Sequence, residues 1–350
     1  MDCKKQYKVI GLMSGTSLDG VDIAYITFYF DKFWCYKLEV CQTIPYNNQW
    51  KNELKYLHLK SKDIIKKMNV IYGEYLAGLV EEFIKKNKLK VDLICSHGHT
   101  VLHQPDKGIS IQIGDGKKIR NRLKIDVVSD FRKLDIQLGG QGAPLVPIGD
   151  ELLFKKYDYC LNLGGFSNFS YSKNSKRLAH DICPVNIALN HFASELGRNY
   201  DKNGELSKSG FLNKQLLSNL NRLEYYKKKP PKSLSKEWLE SNFIPEVNNI
   251  NDTIENKLHT IVEHIAIQIG NCITKGSCLV TGGGAFNDFL IQRMKVHSNA
   301  KYILGNKKLI EFKEALIFGL LGVLKLENQI NCFASVTGAK RDSIVGDHFM

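Results

Sequence analysis

The stretch Val9–Phe28, VIGLMSGTSLDGVDIAYITF, decides the fold. Two apolar runs flank a centre of glycines and hydroxyls, and the second run, VDIAYITFYF, reads as another strand and not as a helix. Asp19-Gly20 is a hairpin turn signal. Gly15 and Gly20 are expected to take positive φ and let backbone N–H groups approach a ligand, with Thr16 and Ser17 adding hydroxyls. Concave N–H arrays of this kind bind phosphate oxygens. A Walker loop would need a lysine and would open a helix, so here a phosphate would be cradled by a β-hairpin. Composition alone leaves an ordinary tight turn as an equal reading.

The rest of the chain bounds what such a loop can serve. The 350 residues suffice for two domains, and 43% hydrophobic content suits a globular protein with real cores. No apolar run approaches the roughly 18 residues of a membrane span. The opening MDCKKQYKVIG is too short in its apolar part for a signal peptide, so a cytoplasmic protein is expected. Nine dispersed cysteines without a C-x-x-C pair read as reduced thiols. A net charge of +13 admits a nucleic-acid binder. The lysines, however, cluster in helix-like stretches such as FIKKNKLK and EYYKKKPPK with no nucleic-acid motif beside them. A lysine-rich surface on an enzyme with anionic ligands is the favoured reading. No nucleic-acid or membrane partner is expected, and homodimer formation is left open.

Strand signals YKVIGLMS, VDIAYITFYF and CYKLEVCQTI open the chain. Helical periodicity follows from Ser61, with Ser61 and Asp63 as start signals. VDLICSHG, ISIQIGDG and KIDVVSDF read as strands, and QLGGQGAPLVPIGD as a loop. DYCLNLGGFSNFSYS is a second strand–glycine turn–strand unit, and helices fill much of Pro184 to Gly276. CLVTGGG is a strand running into a glycine turn before a helix, EFKEALIFGLLGVLKLEN is a late helix, and the tail ASVTGAKRDSIVGDHFM reads as irregular. The two hairpin units suggest a duplicated α/β architecture, with a boundary near Phe131 to Gln141. Gly164 and Gly165 form a second hairpin loop, and Gly282, Gly283 and Gly284 precede a helix N-terminus, where backbone can approach a ligand.

These residues carry a resemblance. GLMSGTSLDGVD looks like the signature of the anhydro-N-acetylmuramic acid kinases. Further similar blocks run in order along nearly the whole chain: SHGHTVLHQP, IQIGDG, SDFRKLDIQLGGQGAPLVP, LNLGGFSN, YDKNGELSKSG, PKSLSKEW, TGGGAFNDFL, EALIFGLL and SVTGA. The resemblance implies the fold of sugar kinases, heat-shock-chaperone ATPases and actin: an α/β protein of two lobes, each on a ribonuclease-H-like sheet, with ATP in the cleft. It implies one lobe over 1–131 plus about 312–350 and the other over about 132–311. In that superfamily the phosphate loops are β-hairpins, one per lobe. Here they would comprise Gly15, Thr16, Ser17, Leu18, Asp19, Gly20, Val21 and Asp22, then Gly164 and Gly165, with Gly282, Gly283 and Gly284 completing the nucleotide site.

The implied reaction opens the 1,6-anhydro bridge with water at C1 and phosphorylates O6 from ATP, in the recycling or use of cell-wall sugars. Such chemistry needs a base, a phosphate cradle and a metal on the ATP. Asp130 in SDFR matches the catalytic aspartate of the family, and Arg132 the arginine beside it. From the residues alone, a strand-end turn aspartate is the preferred reading of Asp130. Asp19 and Asp22 would hold Mg²⁺ directly or through water. Glu314 matches an acidic position in EALIFGLL, and can equally be a first-turn acid favoured by the helix dipole.

His97, His99, Gln141, Asp181 and Asn186 are the expected sugar contacts. Strand alternation would put His97 and His99 on one face, and a zinc site with His103 is the competing reading. In the family pattern Gln stands at position 99, which favours sugar-contacting or loop-ordering residues. AHDICPVN departs from a D-T-G-P-G-N pattern at Cys183 and Val185, and Ser235 stands where Gly is usual. The alternatives are a sugar kinase acting on a free hydroxyl, an actin-like assembly protein and a zinc hydrolase.

Overall fold

A computed structural model describes residues 5–15, 18–230 and 232–350. In the first part of the chain the strands are β1 (Gln6–Ser14), β2 (Gly20–Asp31), β3 (Phe33–Pro45), β4 (Leu93–Gln104), β5 (Ile109–Ile113) and β6 (Asp126–Ser129). The middle supplies β7 (Tyr159–Leu163), β8 (Phe166–Lys173), β9 (Lys176–Pro184), β10 (Ser277–Thr281) and β11 (Lys301–Leu304), and the C-terminus β12 (Asp347–Phe349). The strands β1 to β3 form an antiparallel meander, and β4 and then β6 add in parallel beside β1. The second sheet repeats this plan: β7 to β9 form the meander, with β10 and β11 parallel beside β7. Both sheets therefore carry the ribonuclease-H-like order that the resemblance implies. The protein is α/β with two sheets.

The chain folds as two compact units, Met1–Leu153 with Phe312–Met350, and Phe154–Glu311. The first crossing comes after the helix Pro147–Leu153 rather than near Phe131 to Gln141. The loop in between is tied to the C-terminal segment of the first unit: Lys340 N–H donates to the Leu138 carbonyl and Gln141 N–H to that of Thr337.

Each unit has its own core. In the first, the helix Lys62–Asn87 buries Ile65, Met68, Tyr72, Leu76, Val80 and Phe83 along one stripe. The Ser61 hydroxyl caps its start, accepting from Ile64 N–H. These side chains pack with Ile10, Leu12, Ile23, Ile94 and Val127 of the sheet. On the opposite sheet face the helix Lys307–Leu326 lies so close that a Cβ at Gly11 would meet the Ala315 carbonyl at 2.0 Å. The core of the second unit gathers Leu161, Phe169, Phe192, Leu258, Ile265 and Val280.

One expectation is corrected. The polar tail is not irregular throughout, because β12 pairs antiparallel with β6 through Asp347↔Ser129. The stretch KRLAHDICP, assigned no element from the sequence, is β9, which pairs along the length of β8. No helix among the described residues is long and apolar enough to cross a membrane.

Candidate active site

In the first unit the expected residues gather at the carboxyl ends of the parallel strands, where open α/β sheets place their ligands. The hairpin after β1 runs from Gly15 to Asp22; Thr16 and Ser17 lie outside the described residues. Leu18, not Gly20, takes the left-handed conformation, with φ 60. Gly20 is required for space: a Cβ there would stand 2.2 Å from the Ile44 carbonyl oxygen. Val21 is buried, Asp19 is exposed, and Asp22 accepts the Thr43 hydroxyl at 2.6 Å.

Asp130 ends β6 with φ 56, a conformation that costs an L-residue about 1–2 kcal/mol and that Asp tolerates better than most. Strain of this kind gathers at functional sites. Its half-buried carboxylate accepts the Ser129 hydroxyl at 3.2 Å. Burial first, then Asp347, raises its pKa above the ordinary value, while the Ser129 hydrogen bond and Lys133 oppose the rise.

Two residues on, Arg132 is fixed at three donors. Nε and Nη2 both point at His97 Nε2, at 3.0 and 2.8 Å, and Nη1 donates to the Gly142 carbonyl at 2.7 Å. Burial lowers its pKa to about 10, with Glu314 and Asp135 pulling the other way. The Nδ1 of His97 lies 2.9 Å from the Gly98 carbonyl, which can only accept. The ring therefore carries its proton on Nδ1 and offers the Nε2 lone pair to the guanidinium. Burial, then the Arg132 charge, holds His97 well below its ordinary pKa, as a neutral acceptor. Both ring nitrogens of His97, an expected sugar contact, are thus engaged within the protein, where the ring orders Arg132.

The histidines do not converge. Gly98 has φ 72 and the β1–β4 register shifts beside it. His97 consequently packs on Phe318 and His99 on Tyr72, on opposite faces of the sheet. Alternation had put them together; the left-handed glycine reverses it. His99 is buried, with Nδ1 lacking a hydrogen-bond partner, and burial lowers its pKa to about 4. His103 contacts the Ser110 hydroxyl. Among the described residues no three His, Cys, Asp or Glu side chains form a metal cluster. Gln141 has an exposed side chain.

Glu314 follows an interruption of the helix Lys307–Leu326 at Phe312 (φ −118, ψ 16). Its side chain reaches solvent, so partial enclosure rather than full burial is what first raises its carboxyl pKa. Arg132 opposes this rise and Asp22 reinforces it.

The second unit repeats the strand-end arrangement. Gly164 and Gly165 turn β7 into β8, and their carbonyls receive the N–H groups of Asn186, Val185 and Ile187. Asn186 Nδ2 donates to the Leu163 carbonyl at 2.9 Å, so this expected sugar contact braces the hairpin. Gly282 follows β10 with φ 82, and a Cβ there would lie 2.5 Å from Asn162 Oδ1. Gly283 and Gly284 continue into a short turn before the helix Asp288–Val296. The Asp181 carboxylate accepts Leu234 N–H at 2.8 Å and so ties down the PKSLSKEW segment; burial pushes its pKa up to about 6. Cys183 and Val185 are fully buried in the second core, and Val185 N–H still bonds Gly165. Ser235 caps the helical turn Lys236–Trp238. Sequence reasoning missed Asp135, Thr43 and Asp347, which carry no motif signal separable from ordinary polar residues.

Two hairpin-bearing α/β units, with a carboxylate and an immobilised guanidinium at a strand end, are the build of a phosphotransferase acting on a small molecule. The family profile described as Anhydro-N-acetylmuramic acid kinase matches residues 7–350. An anhydro-N-acetylmuramic acid kinase of Sulfurimonas denitrificans is 33% identical over 368 residues, covering 96% of this chain and 98% of its own. One from Shewanella loihica is 33% identical over 367 residues, covering 97% and 98%. Among solved structures, the ADPNP-bound activator of the 2-hydroxyisocaproyl-CoA dehydratase from Clostridium difficile aligns with a TM-score of 0.43 and 12% identity, over 92% of this chain and 96% of its own. The chain belongs to the anhydro-N-acetylmuramic acid kinase family.

Proposed function

We propose that this protein uses ATP and water to convert 1,6-anhydro-N-acetylmuramic acid into N-acetylmuramic acid 6-phosphate and ADP. Family membership supports the substrate. The observation that carries the chemistry is Asp130 at the end of β6, held in a left-handed conformation beside an Arg132 whose three nitrogens are each bonded within the protein. Asp130 takes a proton from water as the water oxygen bonds to C1. The C1–O6 bond breaks, and O6 accepts the γ-phosphoryl group as ADP leaves. No separate acid is needed at O6, because phosphorus takes the place of a proton. Arg132 orients the lactyl carboxylate or the base with a charge that stays on at neutral pH. The Gly15–Asp22 hairpin, Gly164–Gly165 and Gly282–Gly284 would hold the nucleotide through backbone N–H groups.

The residues present fit Mg²⁺ in its usual manner, through few carboxylates, waters and phosphate oxygens rather than an all-protein cage. Asp22 raises the pKa of Glu314, and such like-charge repulsion favours a cation near both. Asp22 and Glu314, with Asp19 through water, would hold the ion, which neutralises charge on the phosphates. Glu314→Gln is expected to weaken the apparent Mg²⁺ affinity about tenfold, with turnover recovering at saturating Mg²⁺. Full activity at limiting Mg²⁺ would leave Glu314 only its helix-dipole role.

Mass spectrometry of the product tests the reaction. Incubation with ATP, Mg²⁺ and the anhydro sugar should add both water and a phosphoryl group. Phosphorylation without water would mean a kinase of a free hydroxyl.

A further inference from the structure

We propose that Asp135 is a positioning residue that fixes the Arg132 guanidinium through the Gly142 carbonyl. Asp135 is fully buried in the first unit. Burying a carboxylate is costly, and among the described residues no cation bonds this one; it is held by dipoles. Oδ2 accepts Gly142 N–H at 2.7 Å. Oδ1 accepts the Thr337 hydroxyl at 2.6 Å and the Cys332 thiol at 3.2 Å. The fit around Oδ2 is close: a Cβ at Gly140 would come within 2.2 Å of it. Gly142, with φ 66, is therefore held at both polar groups, its N–H by Asp135 and its carbonyl by Arg132 Nη1. Arg132 Nε and Nη2 each direct one N–H at His97, whose own Nδ1–H ends on the Gly98 carbonyl.

The order of dependence follows from these bonds. Asp135 sets Gly142, Gly142 sets one edge of the guanidinium, and His97 sets the other. Thr337 and Cys332 bring the C-terminal segment into the same anchor, so residues far apart in sequence fix one side chain at the strand end. Losing the carboxylate would free Gly142 to turn, and Arg132 would swing away from His97. Displacements of about 1 Å in such a group cost on the order of 10²-fold in rate.

The kinetic test rests on the reaction proposed above; an NMR test does not. Asp135→Asn is expected to lower kcat about 10- to 100-fold, with ATP affinity within about twofold of the parent. In an Arg132→Lys background the same substitution should cost less than about twofold, because its route to the site is already broken. A purely structural residue would cost the same factor in both backgrounds, and multiplying losses overturn the proposal. If Asp135→Asn does not fold, Thr337→Val takes its place in the cycle, with an expected loss of about threefold. In ¹⁵N-histidine spectra, the Nε2 resonance of parent His97 should show a nitrogen accepting hydrogen bonds, and in Asp135→Asn it should move toward that of an unbonded ring nitrogen. An unchanged His97 signal refutes the link even if the protein turns over a different sugar.

Discussion

Replacing Asp130 by Asn is expected to lower kcat by about 10²–10⁴-fold while ATP affinity stays near the parent value. Asn keeps the shape and tolerates the left-handed backbone nearly as well as Asp, so the φ of 56 is not a reason for misfolding. The amide cannot take a proton from water, and the loops proposed to hold the phosphates are elsewhere. The pH dependence carries a sign. Burial and Asp347 raise the pKa of Asp130, so the parent rate should fall as pH drops through a value above the ordinary carboxylate range. That limb should vanish in Asp130→Asn. Stability should move the opposite way. A carboxyl with a raised folded pKa contributes fully below its unfolded pKa and loses that contribution as pH rises through the folded one. Asp130→Asn should therefore be more stable than the parent at neutral pH, with the advantage shrinking under acid. Kinetics, ATP calorimetry and urea melts at two pH values check all three. NMR of the product before mutarotation adds the stereochemistry, since a single displacement by water inverts C1. Near-normal kcat in the variant, or initial retention, would sink this mechanism.

Arg132→Lys keeps the charge and is expected to lose about 10²-fold in kcat. The planar fork meets His97 Nε2 with two donors and the Gly142 carbonyl with a third; a compact ammonium on a flexible stem cannot reproduce that set. ATP affinity should change little. With its paired donors removed, the His97 Nε2 resonance should move toward that of an unbonded ring nitrogen, visible in the same ¹⁵N spectra. A loss below about threefold would show that charge alone, not orientation, is what the site needs from this residue.

The first hairpin, the second hairpin and the glycine turn after β10 were legible because turn chemistry and strand periodicity are local properties. So was the helix capped by Ser61, whose stripe from Ile65 to Phe83 is written at regular spacing. Asp130 and Arg132 were legible only through the family resemblance, since a strand-end Asp and a following Arg have no chemistry of their own. The boundary after Leu153 was not legible, because the loop before it looks like a linker and is held by bonds to residues near the C-terminus. β12 was lost for a similar reason: a three-residue strand is defined by its partner, not by its composition.

By itself the sequence determined two α/β units, their glycine hairpins and the family. Tertiary structure decided the roles of individual polar side chains. Gly98 turns His97 away from His99, which no alternation rule anticipates, because the reversal depends on one backbone dihedral. Gly20 is glycine for the Ile44 carbonyl across the sheet, not for its own φ. Asp135 acts by joining Gly142 to Thr337, and a hydrogen bond between residues distant in the chain exists only once the backbone has brought them together.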